Sequence, residues 1–150
     1  MVRAGRVQRV VPRDSADRDP AWRFAFATLN GIVRAKHDPA WGRAMLRLSH
    51  DARADSAEIS RYLRDDLMDG HAQGHFRHGP DDVTVDTIVG LILMATQRMV
   101  CGEADPGYPE RVVERLLTML GGRPRSAARI VSEAMQALPA VAAGESVGRE

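Results

Sequence analysis

The stretch TVDTIVGLILMATQRMVCGE, residues 84–103, decides the fold of this 150-residue chain. Its middle, residues 88–95, is the densest apolar run in the sequence and is apolar on every face of a helix. Asp81 and Asp82 precede the run, where a helix N-terminus favours negative charge, and Gly102 follows it, where glycine readily forms a left-handed cap. A helix that is apolar all round must be covered all round. We therefore expect a central helix with one face toward the core and one face toward a second copy of the chain.

Several features of the chain indicate a soluble cytoplasmic protein. The apolar run is far shorter than the roughly 20 residues that a membrane span requires, and Asp86, Gln97 and Arg98 flank it. The N-terminus has no apolar segment of the kind found in secretory signals. The single Cys101 excludes an internal disulfide and suits a reducing compartment. We expect no membrane partner.

The bulk composition predicts one ordinary globular domain with two dissimilar ends. Apolar residues make up 44% of the chain and charged residues 27%, which is typical of soluble proteins. Residues 1–18 carry five arginines against two aspartates, whereas the remaining residues hold 16 basic and 18 acidic groups. This body lacks the basic excess of a nucleic-acid reader. We expect a flexible basic leader over residues 1–18, a folded domain over 19–139 and a flexible tail over 140–150.

Start and stop signals divide the folded part into six helices. Asp19-Pro20 and Asp38-Pro39 each place a capping residue before a proline at the first helical position. From Trp22 to Val33 apolar residues then recur at helical spacing, which predicts one buried face. No stretch alternates with period two for long enough to indicate a strand. The later boundaries are marked by Gly70, Gly74, Gly79-Pro80, Asp105-Pro106-Gly107, Gly121-Gly122, Pro124 and Pro139. The expected fold class is all-α.

The order of these elements resembles TetR-family transcriptional regulators. The segment LMDGHAQGHF, residues 67–76, is similar to the Gly-x-x-x-Gly-x-Phe turn of that family. The resemblance covers about residues 20–139 and implies a six-helix TetR-like C-terminal domain, with a four-helix-bundle dimer interface. It also includes Gly90 in the apolar helix, Gly102-Glu103 at its end, Leu116-Leu117-x-x-Leu120-Gly121, Ala127-Ala128 and Leu138-Pro139.

One part of the family pattern has no counterpart in this sequence. Family members begin with a three-helix DNA-binding module that contains a helix-turn-helix, and residues 1–18 are too short for it. A fragment, a wrongly assigned start or a natural loss would each explain this. The leading interpretation is a small-molecule-sensing and dimerisation domain of a TetR-like regulator without its DNA-binding module. We expect no specific DNA binding by this chain alone. The alternative within the same class is a pure dimerisation module that pairs with full-length regulators.

The resemblance implies a pocket for a small apolar or amphipathic ligand, and the composition suggests which side chains line it. Only seven aromatic residues occur in the chain, yet four of them fall within residues 22–41. Ligand pockets are mostly apolar and aromatic with a few polar groups, and methionine adapts to irregular shapes. The expected ligand-binding residues are Trp22, Phe26, Leu29, Trp41, Met45, Tyr62 and Met94, with Gln97 or Arg98 as the polar anchor.

A homodimer is expected because two strongly apolar helices follow one another. The all-round apolar residues 88–95 are followed by the amphipathic helix of residues 112–120, and the two helices with their copies would form four. The expected interface residues are Ile88, Leu91, Ile92, Ala95, Met99, Val112, Leu116 and Leu120.

The alternative from another class is a metal-dependent hydrolase. His71, His75 and His78 would share one face of a continuous helix, and three imidazoles with an open fourth position can form a catalytic zinc site. Gly74 lies inside this span, however, and the TetR-like interpretation places a helix end there, which would separate the rings. We therefore expect no catalytic site, no metal and no cofactor. Cys101 could act in redox sensing only with a second subunit or a small thiol, and a buried inert thiol is the simpler interpretation.

Overall fold

The computed structural model describes residues 18–50 and 55–139, with the backbone alone for residues 50 and 55–60. Every regular element in these residues is an α-helix, which confirms the all-α prediction and the number of helices. The predicted leader and tail lie outside the described residues, apart from Arg18. The helices are α1 (Pro20–His37), α2 (Pro39–His50), α3 (Asp55–Ala72), α4 (Asp82–Cys101), α5 (Tyr108–Met119) and α6 (Pro124–Ala137).

The helices begin and end at the residues that local chemistry selects. Asp19 precedes α1 and accepts a hydrogen bond from the Ala21 N–H at 2.7 Å, which satisfies one of the free amides of the first turn. Asp81 caps α4 by accepting from both the backbone N–H and the hydroxyl of Thr84. These hydrogen bonds, the hydroxyl's first, lower the pKa of the Asp81 carboxyl. Gly102 ends α4 in the left-handed conformation at φ +70°.

The helix at the centre of the bundle is α1, and not α4 as expected from the sequence. In the described part of the chain, α1 packs against each of the five other helices. Solvent reaches α1 mainly at Ala27 and beyond Ile32 at Arg34, Lys36 and His37. The buried side chains of α1 are Ala21, Trp22, Phe24, Ala25, Phe26, Thr28, Leu29, Ile32 and Ala35. The prediction was wrong because an apolar surface can be buried by neighbours within the protomer or left for a partner, and periodicity does not distinguish these cases.

Only one face of α4 is buried in the protomer. Its inner face packs mainly against α1 and α2 and contains Val85, Ile88, Ala95, Thr96 and Met99. By length and composition alone this 20-residue helix could cross a membrane. The core helix of a soluble protein passes the same test, so this single helix is weak evidence for a membrane span.

The segment between α3 and α4 is held against the core by one aromatic side chain. Phe76 is buried and meets Phe24 edge to face, with ring centroids 6.1 Å apart. Its ring occupies the space that a side chain at Gly70 would need. Arg64 of α3 secures the other end of the segment, donating to the Pro80 carbonyl at 2.8 Å and to the Asp82 carboxylate at 2.7 Å.

Two glycine substitutions should therefore have opposite effects on stability. Gly70→Ala would force the Phe76 ring away from Phe24, and we expect a loss of about 2 kcal/mol or more in the free energy of unfolding. Gly31→Ala adds a methyl group where nothing lies within 4 Å, and should raise the free energy of unfolding by about 0.5–1 kcal/mol through helix propensity. Urea unfolding of both variants measures this. Equal effects of the two substitutions would contradict the packing of Phe76 under Gly70.

Candidate functional site

A stripe of uncharged side chains runs along the exposed side of α4. Its members follow one another at three- and four-residue steps and therefore lie on one face of the helix. Val83 is 75% exposed and Met94 is 56% exposed. We call this surface the outer stripe: Val83, Thr87, Gly90, Met94, Gln97 and Cys101, all of them exposed.

Gly90 lies in the middle of the outer stripe, and nothing in the protomer requires a glycine there. A Cβ at this position would meet no atom within 4 Å. Glycine inside a helix costs roughly 1 kcal/mol relative to alanine. Gly42 shows the contrast, because a Cβ there would lie 2.5 Å from the Val100 side chain, where α2 and α4 approach closely. A close approach at Gly90 would need a molecule outside the protomer.

The residues predicted for the dimer interface occupy several different environments. Leu91 and Ile92 are half-buried and pack against the core. A side chain that is already buried in the protomer has almost no surface left for a partner to contact. On α4, the accessible surface is therefore the outer stripe. The fully covered members of the predicted set are Ile88, Ala95 and Met99 of α4, Val112 and Leu116 of α5, and Leu120 just after α5.

The residues predicted for the ligand pocket do not surround a common space. Trp22, Phe26 and Leu29 are 4%, 1% and 0% exposed, so not even a water-sized probe reaches much of their surface. The Trp22 ring stacks on Phe26 with centroids 5.0 Å apart, and the guanidinium of Arg18 lies 4.4 Å from the Trp22 ring centre. The Trp22 Nε1–H is buried and has no acceptor among the described residues.

The other predicted pocket residues lie toward the surface. Trp41 is half-buried under the guanidinium of Arg34, which is 4.4 Å from its ring centre. Met45 is half-buried, whereas Tyr62, Met94, Gln97 and Arg98 are exposed. Gln97 points along α4, where its amide donates to the Cys101 sulfur at 3.1 Å. Since α4 turns Met94, Gln97 and Arg98 away from the core, the nine residues are divided between the interior and the surface.

Two clefts lie instead beside the C-terminal end of α1, and Val33 and His37 line both. The first has a volume of about 370 Å³ and a mostly apolar wall that includes Leu138 and Pro139. The second, of about 390 Å³, lies between the ends of α1 and α4 and is lined by Met99 and Met135 together with charged groups. These groups are Lys36, Asp105 and Glu110. Both volumes fall within the range of small-molecule sites, about 300–1,000 Å³.

The sequence analysis did not predict these clefts. It did contain a sign that Gly90 is unusual. Val33 belonged to the apolar stripe of the first predicted helix, but nothing in the sequence brings Met135 or Glu110 to it. The clefts arise where helix ends diverge, and that depends on long-range packing. A helix-weakening glycine inside the strongest apolar run was visible in the sequence and is explained by no contact in the protomer.

The three histidines point to different partners. His71 Nδ1 lies 3.1 Å from the Phe76 carbonyl oxygen, and His75 Nδ1 lies 3.5 Å from the Asp19 carboxylate. His78 is exposed near Asp81, whose pKa it lowers slightly. Within residues 18–50 and 55–139, no three or more His, Cys, Asp or Glu side chains are grouped as metal ligands would be. The hydrolase alternative is therefore unsupported. Cys101 is exposed and not buried as expected, and lies at the end of the outer stripe.

These features describe an all-helical domain, built around one helix that is buried on nearly all its sides and bearing an exposed, uncharged stripe on another. Residues 19–133 match the family model described as the C-terminal domain of tetracyclin repressor-like proteins. The chain therefore belongs to the TetR-like C-terminal domain family. No match was found among curated proteins or among solved structures. Domains of this family belong to regulatory proteins, which are soluble and cytoplasmic, and they typically dimerise and bind small ligands.

The separation of the histidines predicts how the protein responds to zinc. Equimolar zinc should leave the melting temperature unchanged, because the His71 and His75 rings face different partners. His75→Ala should show the same lack of response and so serves as the control. Stoichiometric zinc binding in calorimetry that disappears in His75→Ala would contradict this arrangement and revive the hydrolase alternative.

Proposed function

We propose that this chain is the small-molecule-sensing and dimerisation domain of a TetR-like transcriptional regulator, acting in the cytoplasm. Membership of the family supports the general role. The observation that carries the proposal is the outer stripe of α4, an exposed and uncharged face on an otherwise apolar helix. This uncharged face, with the exposed side chains of Val83 and Met94 on it, is the surface that we propose for the interaction.

The partner we propose for this surface is a second copy of the chain. Val83 and Met94, the two large apolar side chains of the stripe, would lose their contact with water in a helix pair. Arg111 and Arg115 of the neighbouring α5 are exposed and would lie toward the edge of such an interface. This differs from the four-helix interface expected from the sequence, because the core-facing residues of α5 and also Ile88, Ala95 and Met99 of α4 are covered within the protomer and would not touch the partner.

Charge insertion at two positions tests the dimer. Met94→Asp should leave a folded monomer, because the Met94 side chain is mostly exposed and contributes little to the core. Leu116→Asp should unfold the protomer, because Leu116 is 1% exposed and a buried unpaired charge is very costly. Analytical ultracentrifugation gives the mass and circular dichroism gives the helix content. A wild-type chain that remains a folded monomer at high micromolar concentration would overturn dimerisation as its function.

Sensing requires a ligand site, and we propose the clefts beside Val33 and His37 as the accessible one. Their walls combine apolar side chains with a few charged groups, which suits an amphipathic small molecule. The cluster of Trp22, Phe26 and Leu29 is closed, so a ligand would enter it only if α1 moved away from its neighbours. A ligand that entered the cluster could then accept a hydrogen bond from the buried Trp22 Nε1–H, provided that the ligand carries an acceptor atom.

A screen of lipophilic compounds by thermal shift separates these two locations. A compound bound in the clefts should raise the melting temperature once its concentration exceeds its dissociation constant. Val33→Trp, which narrows both clefts, should abolish the shift, whereas Trp22→Phe, which alters the aromatic cluster and lines neither cleft, should retain it. The reverse pattern would place the ligand in the aromatic cluster. No shift with any compound class would leave dimerisation as the function.

This proposal assigns no DNA reading to the chain itself. Residues 19–150 carry 16 basic and 18 acidic groups, so the body has no excess of positive charge to attract phosphate. The arginines of residues 1–18 would support weak binding that fades as salt rises. A pure dimerisation module that pairs with full-length regulators remains the second candidate, and the outer stripe would serve it equally well.

A further inference from the structure

We propose that the end of the bundle where the α3–α4 and α5–α6 connections meet is a docking surface for a short acidic segment of a partner protein. Four exposed arginines form this surface, and we call them the arginine cluster: Arg77, which lies before α4, and Arg123, Arg125 and Arg129 at the start of α6. The arginine cluster shares no residue with the outer stripe or with the two clefts. The proposal therefore goes beyond dimerisation and ligand binding and depends on neither.

The charges of the chain are unevenly distributed between this end and the rest of the body. Residues 70–80 and 115–132 contain five arginines and no aspartate or glutamate. Since residues 19–150 hold 16 basic and 18 acidic groups in all, the remainder of the body has 11 basic groups against 18 acidic ones. A local positive excess on a net acidic body creates a potential that attracts anionic partners to one place.

The structure brings the two arginine-containing segments into contact. The Arg77 N–H donates to the Leu120 carbonyl at 2.6 Å. Gly121, at φ +108°, lies so close to Arg77 that a Cβ on this glycine would be 2.7 Å from the Arg77 Cβ. Two residues of chain, which span at most about 7 Å, separate Gly121 from Arg123. Arg125 and Arg129 then follow at helical spacing on one face of α6. The positive charges of the two segments thus lie on one surface.

The arginine cluster has no counter-charge within the described part of the chain. The arginines that form ion pairs there are Arg23, Arg64 and Arg111, all of them outside the cluster. The first turn of α6 contains no acidic residue, and no side chain caps it with a hydrogen bond. Positive charge at a helix N-terminus opposes the helix dipole and destabilises the helix. An anionic partner would offset both the mutual repulsion of the arginines and this effect.

The surroundings of the arginine cluster favour a short acidic protein segment over a nucleic acid. The guanidinium group binds carboxylates through two parallel hydrogen bonds, and arginine is enriched at protein interfaces. A long polyanion such as duplex DNA would extend beyond the cluster over the net acidic remainder of the body, which repels it. Phe76, which precedes Arg77, is buried and offers no face on which a base could stack. A short acidic segment would meet the arginines alone.

Charge reversal with a matched control tests the docking surface. The probe is a fluorescently labelled peptide of alternating glutamate and glycine, and its anisotropy is measured with the full chain at low salt. Arg123→Glu/Arg125→Glu should weaken binding about 10-fold or more, because two attractive contacts become repulsive. The control Arg43→Glu/Arg47→Glu changes two exposed arginines of α2 and alters the net charge equally, and it should bind within about 2-fold of the wild type. The arginines of residues 1–18 are present in both variants, so their contribution is the same.

Thermal melting separates a binding role of these arginines from a structural one. Glutamate in the first turn of a helix interacts favourably with the dipole, so Arg123→Glu/Arg125→Glu should melt at or above the temperature of the wild type. Weaker peptide binding by an equally stable or more stable protein supports the proposal. A clear fall in melting temperature would assign these arginines to the stability of the fold and overturn it.

The remaining outcomes also decide for or against the docking surface. Equal weakening in the two double variants would mean attraction to the overall charge of the chain and would overturn the proposal, as would a wild type that does not bind the peptide saturably. Tighter binding of a duplex DNA with the same number of negative charges would assign the surface to nucleic acid and overturn the acidic protein segment as its partner. Because the anisotropy measurement does not involve the outer stripe or the clefts, failure of dimerisation or of ligand binding would leave this result unchanged.

Discussion

The structure depends on the burial of α1 on nearly all its sides. Phe24, Phe26, Leu29 and Ile32 are at most 2% exposed, and their helix contacts all five of the other helices in the described part of the chain. Small residues make this possible where the helices come closest: Gly42 of α2 lies against Ala35 of α1 and the Val100 side chain of α4. Three helices meet at that point with no room for another methyl group. Because α1 is so completely covered, little of its surface is left for a ligand, and accessible space appears only where its last turns leave the bundle.

The packing of α1 also explains why α4 has two unlike faces. Five helices surround α1, so each needs only one apolar face to complete the core. For α5 and α6 the opposite face is polar, with Arg115, Arg129 and Glu133 in solvent. For α4 the opposite face remains apolar or uncharged along most of its length, beyond what the protomer requires. Leu48 of α2 and Met68 of α3 are also exposed, at 42% and 55%, so what distinguishes α4 is the uncharged stripe that runs along its whole outer side. The proposed intermolecular contact would give a physical reason for keeping that stripe.

The sequence predicted the features that depend on neighbouring residues, such as the helix caps. It did not predict the features that depend on packing between distant segments, such as which helix is central. The caps at Asp19, Asp81 and Gly102 were predictable because their hydrogen bonds join residues at most four apart in the chain. Residues 88–95 correctly indicated a helix with both an inward and an outward face. They did not show which of two apolar helices lies at the centre, because that depends on how six helices pack together. The clefts could not be predicted from the sequence. A cleft forms where side chains from distant segments leave a gap between them, and that depends on how the helices pack.

The position of α4 offers a physical route between the clefts and the surface that we propose for dimerisation. Met99 lies on its inner face and lines the second cleft together with Gly102, while Met94, little more than one turn earlier, lies on the outer stripe. A molecule in that cleft would therefore contact the same helix that carries the proposed dimer surface. Contact alone does not couple the two sites: the ligand must bind more tightly to one arrangement of α4 than to another. The tight packing of Ala95 and Ile88 against the core resists any bending of α4 between them, so a ligand that shifts its C-terminal end would move the outer stripe as a unit. Coupling by this route would be reciprocal, and dimerisation would change the affinity of the cleft by the same factor.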